Sequence, residues 1–104
     1  RKLRKDFFYM NYTLKPIVYG NQFTIWLRDT FPEWSENDID DVLDIILGDW
    51  DYYTEVYFIN NDEDLSLVDE EEREIFANAN RVYAELRKVF CDTDYVSILV
   101  CRGW

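Results

Sequence analysis

The chain has 104 residues, with 22 acids against 11 bases and no histidine, for a formal net charge of −11. That length makes one domain with room for a single core, and 48% apolar with 18% aromatic residues excludes a disordered acidic tail. The charge disfavours nucleic acid and anionic membranes as partners and steers towards basic ones. The missing histidine removes the commonest general base and metal ligand.

Residues 1–12 read as an N-terminal extension, partly disordered, with Arg1, Lys2, Arg4 and Lys5 clustered at its start. Its apolar stretch is too short for a signal-peptide core, and Met10 is a candidate start that would leave 1–9 as an appendage. Residues 13–104 read as a single acidic α/β domain. TLKPIVY, 13–19, is a first strand, with Pro16 restricting it to a sheet edge or to a start after the proline. Gly20 and Asn21 suit a turn. FTIWLRDTF, 23–31, fits two helical turns or an extended stretch, and Pro32 punctuates it.

Ser35 is a good N-cap for the next helix, with Asp38 at the capping-box position. Ile39, Val42, Leu43, Ile46 and Leu47 then repeat at helical spacing, and Gly48 ends the run. YYTEVYFI, 52–59, is β-branched and aromatic, hence a strand. NNDED follows as a loop. From Val68 to Phe90, the residues Ile75, Ala79, Val82, Tyr83, Leu86 and Phe90 predict a long helix. Acids Asp69 to Glu72 sit near its start and Arg87 and Lys88 near its end, both suited to the helix dipole. Tyr95–Val100 is a last, nearly all-apolar strand.

Strands separated by helices predict right-handed crossovers and a small three-stranded parallel sheet packed with helices. If the segment between Cys91 and Cys101 is extended, the two lie about 33 Å apart, far beyond the ~7 Å a disulfide tolerates. Both are then reduced thiols and small buried hydrophobes, as expected of a cytoplasmic chain. No apolar run approaches the ~18 residues of a membrane span.

Between residues 33 and 74 stand seventeen acids and one base, Arg73. Six of those acids fall in PEWSENDIDDVLDIILG, 32–48. Asp40 and Asp44 lie four apart, so they share a helix face, and that face is not the apolar stripe. Asp38 and Asp41 widen it, while Glu33, Trp34 and Glu36 approach from the preceding loop. Like charges at this spacing cost a few tenths of a kcal/mol each. The plain reading is a solvated face of an acidic protein. The functional one is a cation-binding surface, with Trp34 as an exposed aromatic anchor among carboxylates. It would lose its force if Asp40 and Asp44 turned away from each other, or if Arg28, Arg73 or Arg81 of the same chain locked them.

A glycosidase-like carboxylate pair needs one acid raised in a pocket, and every candidate here stands among exposed acids. DIDDVLD and NNDED lack the central glycine and terminal glutamate of a calcium loop. No enzyme activity, cofactor or metal is therefore expected. Trp26, Trp50, Tyr52, Tyr53, Tyr57 and Phe58 read as core or half-buried structural aromatics.

The opening of the acidic helix resembles the barstar family of intracellular ribonuclease inhibitors. There a Pro-Glu-Tyr-Tyr-Gly-Glu-Asn loop leads into a Leu-Asp-Ala-Leu-Trp-Asp helix. Here Pro32-Glu33-Trp34-Ser35-Glu36-Asn37-Asp38 leads into Ile39-Asp40-Asp41-Val42-Leu43-Asp44. Ile17-Val18-Tyr19-Gly20-Asn21-Gln22-Phe23 is similar to that family's first strand and turn. The departures are a shorter first helix, Ser35 and Glu36 in place of tyrosine and glycine, and Leu43 in place of the helix tryptophan.

The resemblance implies a barstar-like parallel sheet. It also implies that Asp40, Asp44 and Trp34 enter a nuclease active site, the acids standing in for RNA phosphates. The expected function is an immunity protein or antitoxin, monomeric in a 1:1 complex, that blocks a basic nuclease toxin. Its expected contact residues are Glu33, Trp34, Glu36, Asp38, Asp40, Asp41 and Asp44. The other expectation is a phage-type DNA mimic that fills the nucleic-acid channel of a host protein.

Overall fold

The computed structural model describes residues 17–48 and 53–99. Within them lie three strands, β1 (Ile17–Tyr19), β2 (Tyr53–Tyr57) and β3 (Tyr95–Leu99), and three α-helices, α1 (Gly20–Thr30), α2 (Glu36–Leu47) and α3 (Arg73–Val89). Two short 3-10 turns, Leu65–Leu67 and Glu70–Glu72, precede α3. The expected extension over 1–12, the strand residues 13–16, Trp50, Tyr52, Val100 and Cys101 lie outside the described residues.

The first helix starts directly on the first strand. Gly20 and Asn21 form its opening turn rather than a separate loop. A first turn leaves its N–H groups without intrahelical partners whatever its residues are, so weak helix formers are tolerated there. Phe23, Trp26 and Leu27, at i, i+3 and i+4, turn inward and are buried. Phe31 closes α1 with its N–H on the Leu27 carbonyl at 2.9 Å.

α2 is bounded as its sequence predicts. Asp38 N donates to Ser35 Oγ at 3.2 Å and Ser35 N donates to Asp38 Oδ2 at 3.0 Å, a reciprocal cap. Ile39, Val42, Ile46 and Leu47 are buried, while Leu43 is half-buried against the same core. Gly48 stops the helix at φ 61°, its N–H on the Asp44 carbonyl.

α3 starts at Arg73 rather than Val68. Residues 69–74 offer nothing apolar to bury, and Glu70–Glu72 take a 3-10 turn instead. Beyond Ile75 the expected stripe holds: Ala79, Val82, Tyr83 and Leu86 are buried, and Phe90 just past the helix joins them. Cys91 follows in a turn and is exposed. It is not the buried hydrophobe expected, because the helix has already ended.

The sheet is mixed, which corrects the expectation of parallel strands. Its order is β1-β3-β2. β1 is parallel to β3 in register Val18↔Ile98. β2 is antiparallel to β3 in register Val56↔Val96. The cause lies in the β2–α3 connection. Arg87 Nη2 donates to Asp62 at 2.7 Å, Asn80 bonds the Glu63 backbone, and Arg73 Nε donates to the Val68 carbonyl at 3.0 Å. As the loop advances from 62 to 68, its helix partners step back from 87 to 73. The loop therefore runs back beside the stretch of α3 from 87 to 73, about 21 Å of helix, before the helix returns. Two passes bring the chain back to the end of the sheet it left, so β3 enters beside the end of β2; Phe58 N donates to the Asp94 carbonyl there at 3.0 Å. A single helical pass would have made the pair parallel.

One core joins sheet and helices. Val18, Val56, Val96 and Ile98 pack with Phe23, Trp26, Leu27, Ile39, Val42, Val82, Leu86 and Phe90. Phe58 is fully buried and stacks on Phe90, while Tyr57 is half exposed and stacks on Tyr95.

Candidate functional site

α2 carries the candidate surface because its inner face is spent on the core. With Ile39, Val42 and Ile46 turned in, Asp40, Asp41 and Asp44 point out, and all three are exposed. Glu36, Asp40 and Asp44 form one row at i, i+4 and i+8, with about 6 Å between successive positions. Ser35 and Gly48 fix where the row starts and stops.

The six acids among the seven expected contact residues divide into two groups, with Trp34 apart from both. Glu33, Glu36 and Asp38 are engaged within the molecule. Arg28, reaching from the last turn of α1, grips Glu36 with a fork: Nε to Oε2 at 3.0 Å and Nη2 to Oε1 at 2.7 Å. Arg81, from the middle of α3, meets Glu33 Oε2 at 3.0 Å. Asp38 is the helix cap. Arg73 turns away to the Val68 carbonyl.

Trp34 is not the free anchor expected. It is partly buried against the core and stacked on Phe31, ring centroids 4.0 Å apart and planes 7° from parallel. The Arg81 guanidinium lies 5.0 Å from the Phe31 ring and 5.5 Å from the Trp34 ring. Arg81 thus satisfies two aromatic faces and one carboxylate together. Phe31 was the missed member of this cluster; its place three positions before Trp34, across Pro32, was the available signal.

Asp40, Asp41 and Asp44 form the second group. Among the described residues, their carboxylates make no hydrogen bond and no ion pair. Arg28 lies near enough to Asp40 for their charges to interact. The bonds are felt at the locked acids. The fork from Arg28 holds the Glu36 carboxyl below the usual range. Glu33 is held low by its own backbone N–H first and by Arg81 second.

A second acidic surface lies before and within the first turn of α3. Asp69, Glu70, Glu71, Glu72 and Glu74 are exposed. Asp62 is taken by Arg87, and Asp64 caps the Leu65–Leu67 turn through the Ser66 N–H and hydroxyl. Among the described residues, no group of three or more histidine, cysteine, aspartate or glutamate side chains is arranged to hold a metal ion. None of the helices there is long and apolar enough to cross a membrane.

Comparison with protein-family models, with curated proteins and with solved structures gives no match in any of the three.

Proposed function

We propose that the protein is a non-enzymatic acidic inhibitor of the immunity-protein or antitoxin kind. It blocks a basic toxin, a ribonuclease in the form we favour, by laying the outer face of α2 into the toxin's cationic cleft. The observation that carries this reading is the state of Asp40, Asp41 and Asp44: exposed, without hydrogen bond or ion pair among the described residues, and carried on a helix fixed at both ends, with Asp40 and Asp44 in one row and Asp41 beside it. Carboxylates so arranged offer a cationic cleft what a phosphate backbone would. Charge pairs desolvated at such an interface can couple by about 1.5–7 kcal/mol, a range measured on barnase–barstar itself.

The resemblance of residues 32–44 to the barstar loop and helix supports the ribonuclease target. The mixed sheet departs from what that resemblance implied, so the contact set rests on exposure and not on the family. It contracts to Asp40, Asp41 and Asp44, with Glu33, Glu36 and Asp38 acting through steering and helix placement. The chain would work in the cytoplasm, as a monomer in a 1:1 complex.

The exposed acids Asp69 to Glu72 and Glu74 favour a second reading, a nucleic-acid mimic that spreads its charge over a longer surface. Affinity capture from the source cell separates the two. The wild-type chain should retain a basic protein with ribonuclease activity and suppress that activity, and D40N/D41N/D44N should lose both. Capture of a nucleic-acid-binding protein without nuclease activity would support the mimic. Equal capture by wild type and triple variant would remove α2 from consideration.

A further inference from the structure

Among the described residues, the sheet is packed on one side. Val18, Val56, Val96 and Ile98 point to the helices and join the core. Strand alternation sends their neighbours to the other side: Ile17 and Tyr19 from β1, Tyr57 from β2, Tyr95 and Leu99 from β3. None of these five belongs to the core into which all three helices pack. Tyr19 and Tyr57 are 45% and 49% exposed. The registers Ile17↔Ser97 and Glu55↔Ser97 put the small Ser97 at the centre of this face, with Glu55 its one charge among the described residues. On a chain that is 32% charged, an aromatic and aliphatic face of this kind marks a contact site.

Its size and charge argue against a second copy as the occupant. The face is two strand spacings wide and about five residues long, roughly 10 by 17 Å. That is far below the ~800 Å² each partner contributes to a stable interface, and two chains of net charge −11 repel. A segment of the same chain fits better. Sixteen residues precede Ile17, which lies at the margin of this face. Within them, FFYMNYTL at 7–14 supplies Phe7, Phe8, Tyr9, Met10, Tyr12 and Leu14. At about 3.3 Å per residue, that stretch reaches from ~10 to ~33 Å beyond Ile17, enough to cross the face. Residues 1–16 also carry five bases and one acid, so charge draws them to the acidic domain.

We infer that residues 7–14 are an intramolecular cover for the outer face of the sheet, laying their aromatic and aliphatic side chains over Ile17, Tyr57, Tyr95 and Leu99. The segment is then part of the fold and not an appendage. The cover owes nothing to α2, so it stands or falls apart from the function proposed above.

Nuclear Overhauser contacts in the full chain test it. Phe7, Phe8, Met10 and Leu14 should show contacts to the rings of Tyr57 and Tyr95 and to the Leu99 methyls. In an equimolar mixture of isotope-labelled and unlabelled chains, filtered for contacts between molecules, these should be absent; their appearance there would make the occupant a second copy and overturn the inference. They should survive high salt, which screens charge but not apolar burial; their loss would mean that charge alone holds the segment, and the cover fails. F8S/M10S should lose the contacts, lower the urea midpoint and raise the fluorescence of Nile red, a neutral probe of exposed apolar surface. An unchanged midpoint and fluorescence in that variant would count as failure. So would a wild-type chain without contacts between 7–14 and the face, whatever the variant does.

Discussion

Asn80 clamps the backbone of Glu63 from both sides: Glu63 N donates to Asn80 Oδ1 at 2.9 Å, and Asn80 Nδ2 donates to the Glu63 carbonyl at 3.0 Å. One amide side chain thereby replaces the two bonds a neighbouring strand would have supplied. With Arg87 on Asp62 and Arg73 on Val68, it keeps the loop against α3, the path that accompanies the mixed sheet. Asn80→Ala should cost about 1–2 kcal/mol, two modest bonds, and the Glu63 amide should exchange faster with solvent deuterium. Asn80→Asp keeps the acceptor and loses the donor, so it should destabilise while leaving that amide protected. Equal protection in wild type and Asn80→Ala would show the clamp to be idle.

At Gly48 the cost of a side chain is conformational. A Cβ there meets nothing within 4 Å, yet φ is 61° and ψ is −145°, a region open essentially to glycine alone. Gly48→Ala should therefore destabilise by about 1–3 kcal/mol, seen as a lower urea midpoint. Asparagine tolerates the left-handed helical region but not this one, so Gly48→Asn should rescue little. A midpoint for Gly48→Asn close to wild type would mean the backbone relaxes after substitution.

Carboxylates held by partners give an acid-side dependence with a defined sign. Glu36 is lowered first by the Arg28 bond, Glu33 first by its own backbone N–H, and Asp64 first by the Ser66 hydroxyl. A depressed folded-state value adds stability above the unfolded carboxyl value, near 4.5 for glutamate, and that contribution is lost as pH falls through the folded values. In a carboxyl-carbon NMR titration, R28Q should return Glu36 to the ordinary range. R81Q should return Glu33 only part of the way, because its larger cause remains. Full recovery of Glu33 in R81Q would assign the shift to the ion pair instead.

The bare acids of α2 should burden the free protein. Asp40 and Asp44 repel at i, i+4 spacing, worth a few tenths of a kcal/mol. Asp44→Asn should raise the melting temperature by about 1–2 °C for a domain of this size. The gain should shrink at high salt, where exposed charges are screened. A melting temperature that falls, or a gain insensitive to salt, would place Asp44 in a structural role.

How much of this was legible beforehand depended on the range of the interaction. Ser35, Asp38 and Gly48 bound α2 through contacts within a turn, and the apolar stripes of α2 and α3 follow from helical period, so these elements could be read from residue order. The direction of β2 could not, because it depends on how many times the chain travels the sheet's length between Phe58 and Asp94, and that is decided by where Asn80, Arg87 and Arg73 hold the loop. Which carboxylates of the acidic run stay bare was likewise hidden. Sequence alone determined a helix rich in negative charge with one face free of the core. Only tertiary packing, bringing Arg28 to Glu36 across 8 positions and Arg81 to Glu33 across 48, decided that of the six acids at 32–48 Asp40, Asp41 and Asp44 are left open among the described residues. The physical reason is that such ion pairs depend on how helices pack, which residue spacing along the chain does not encode.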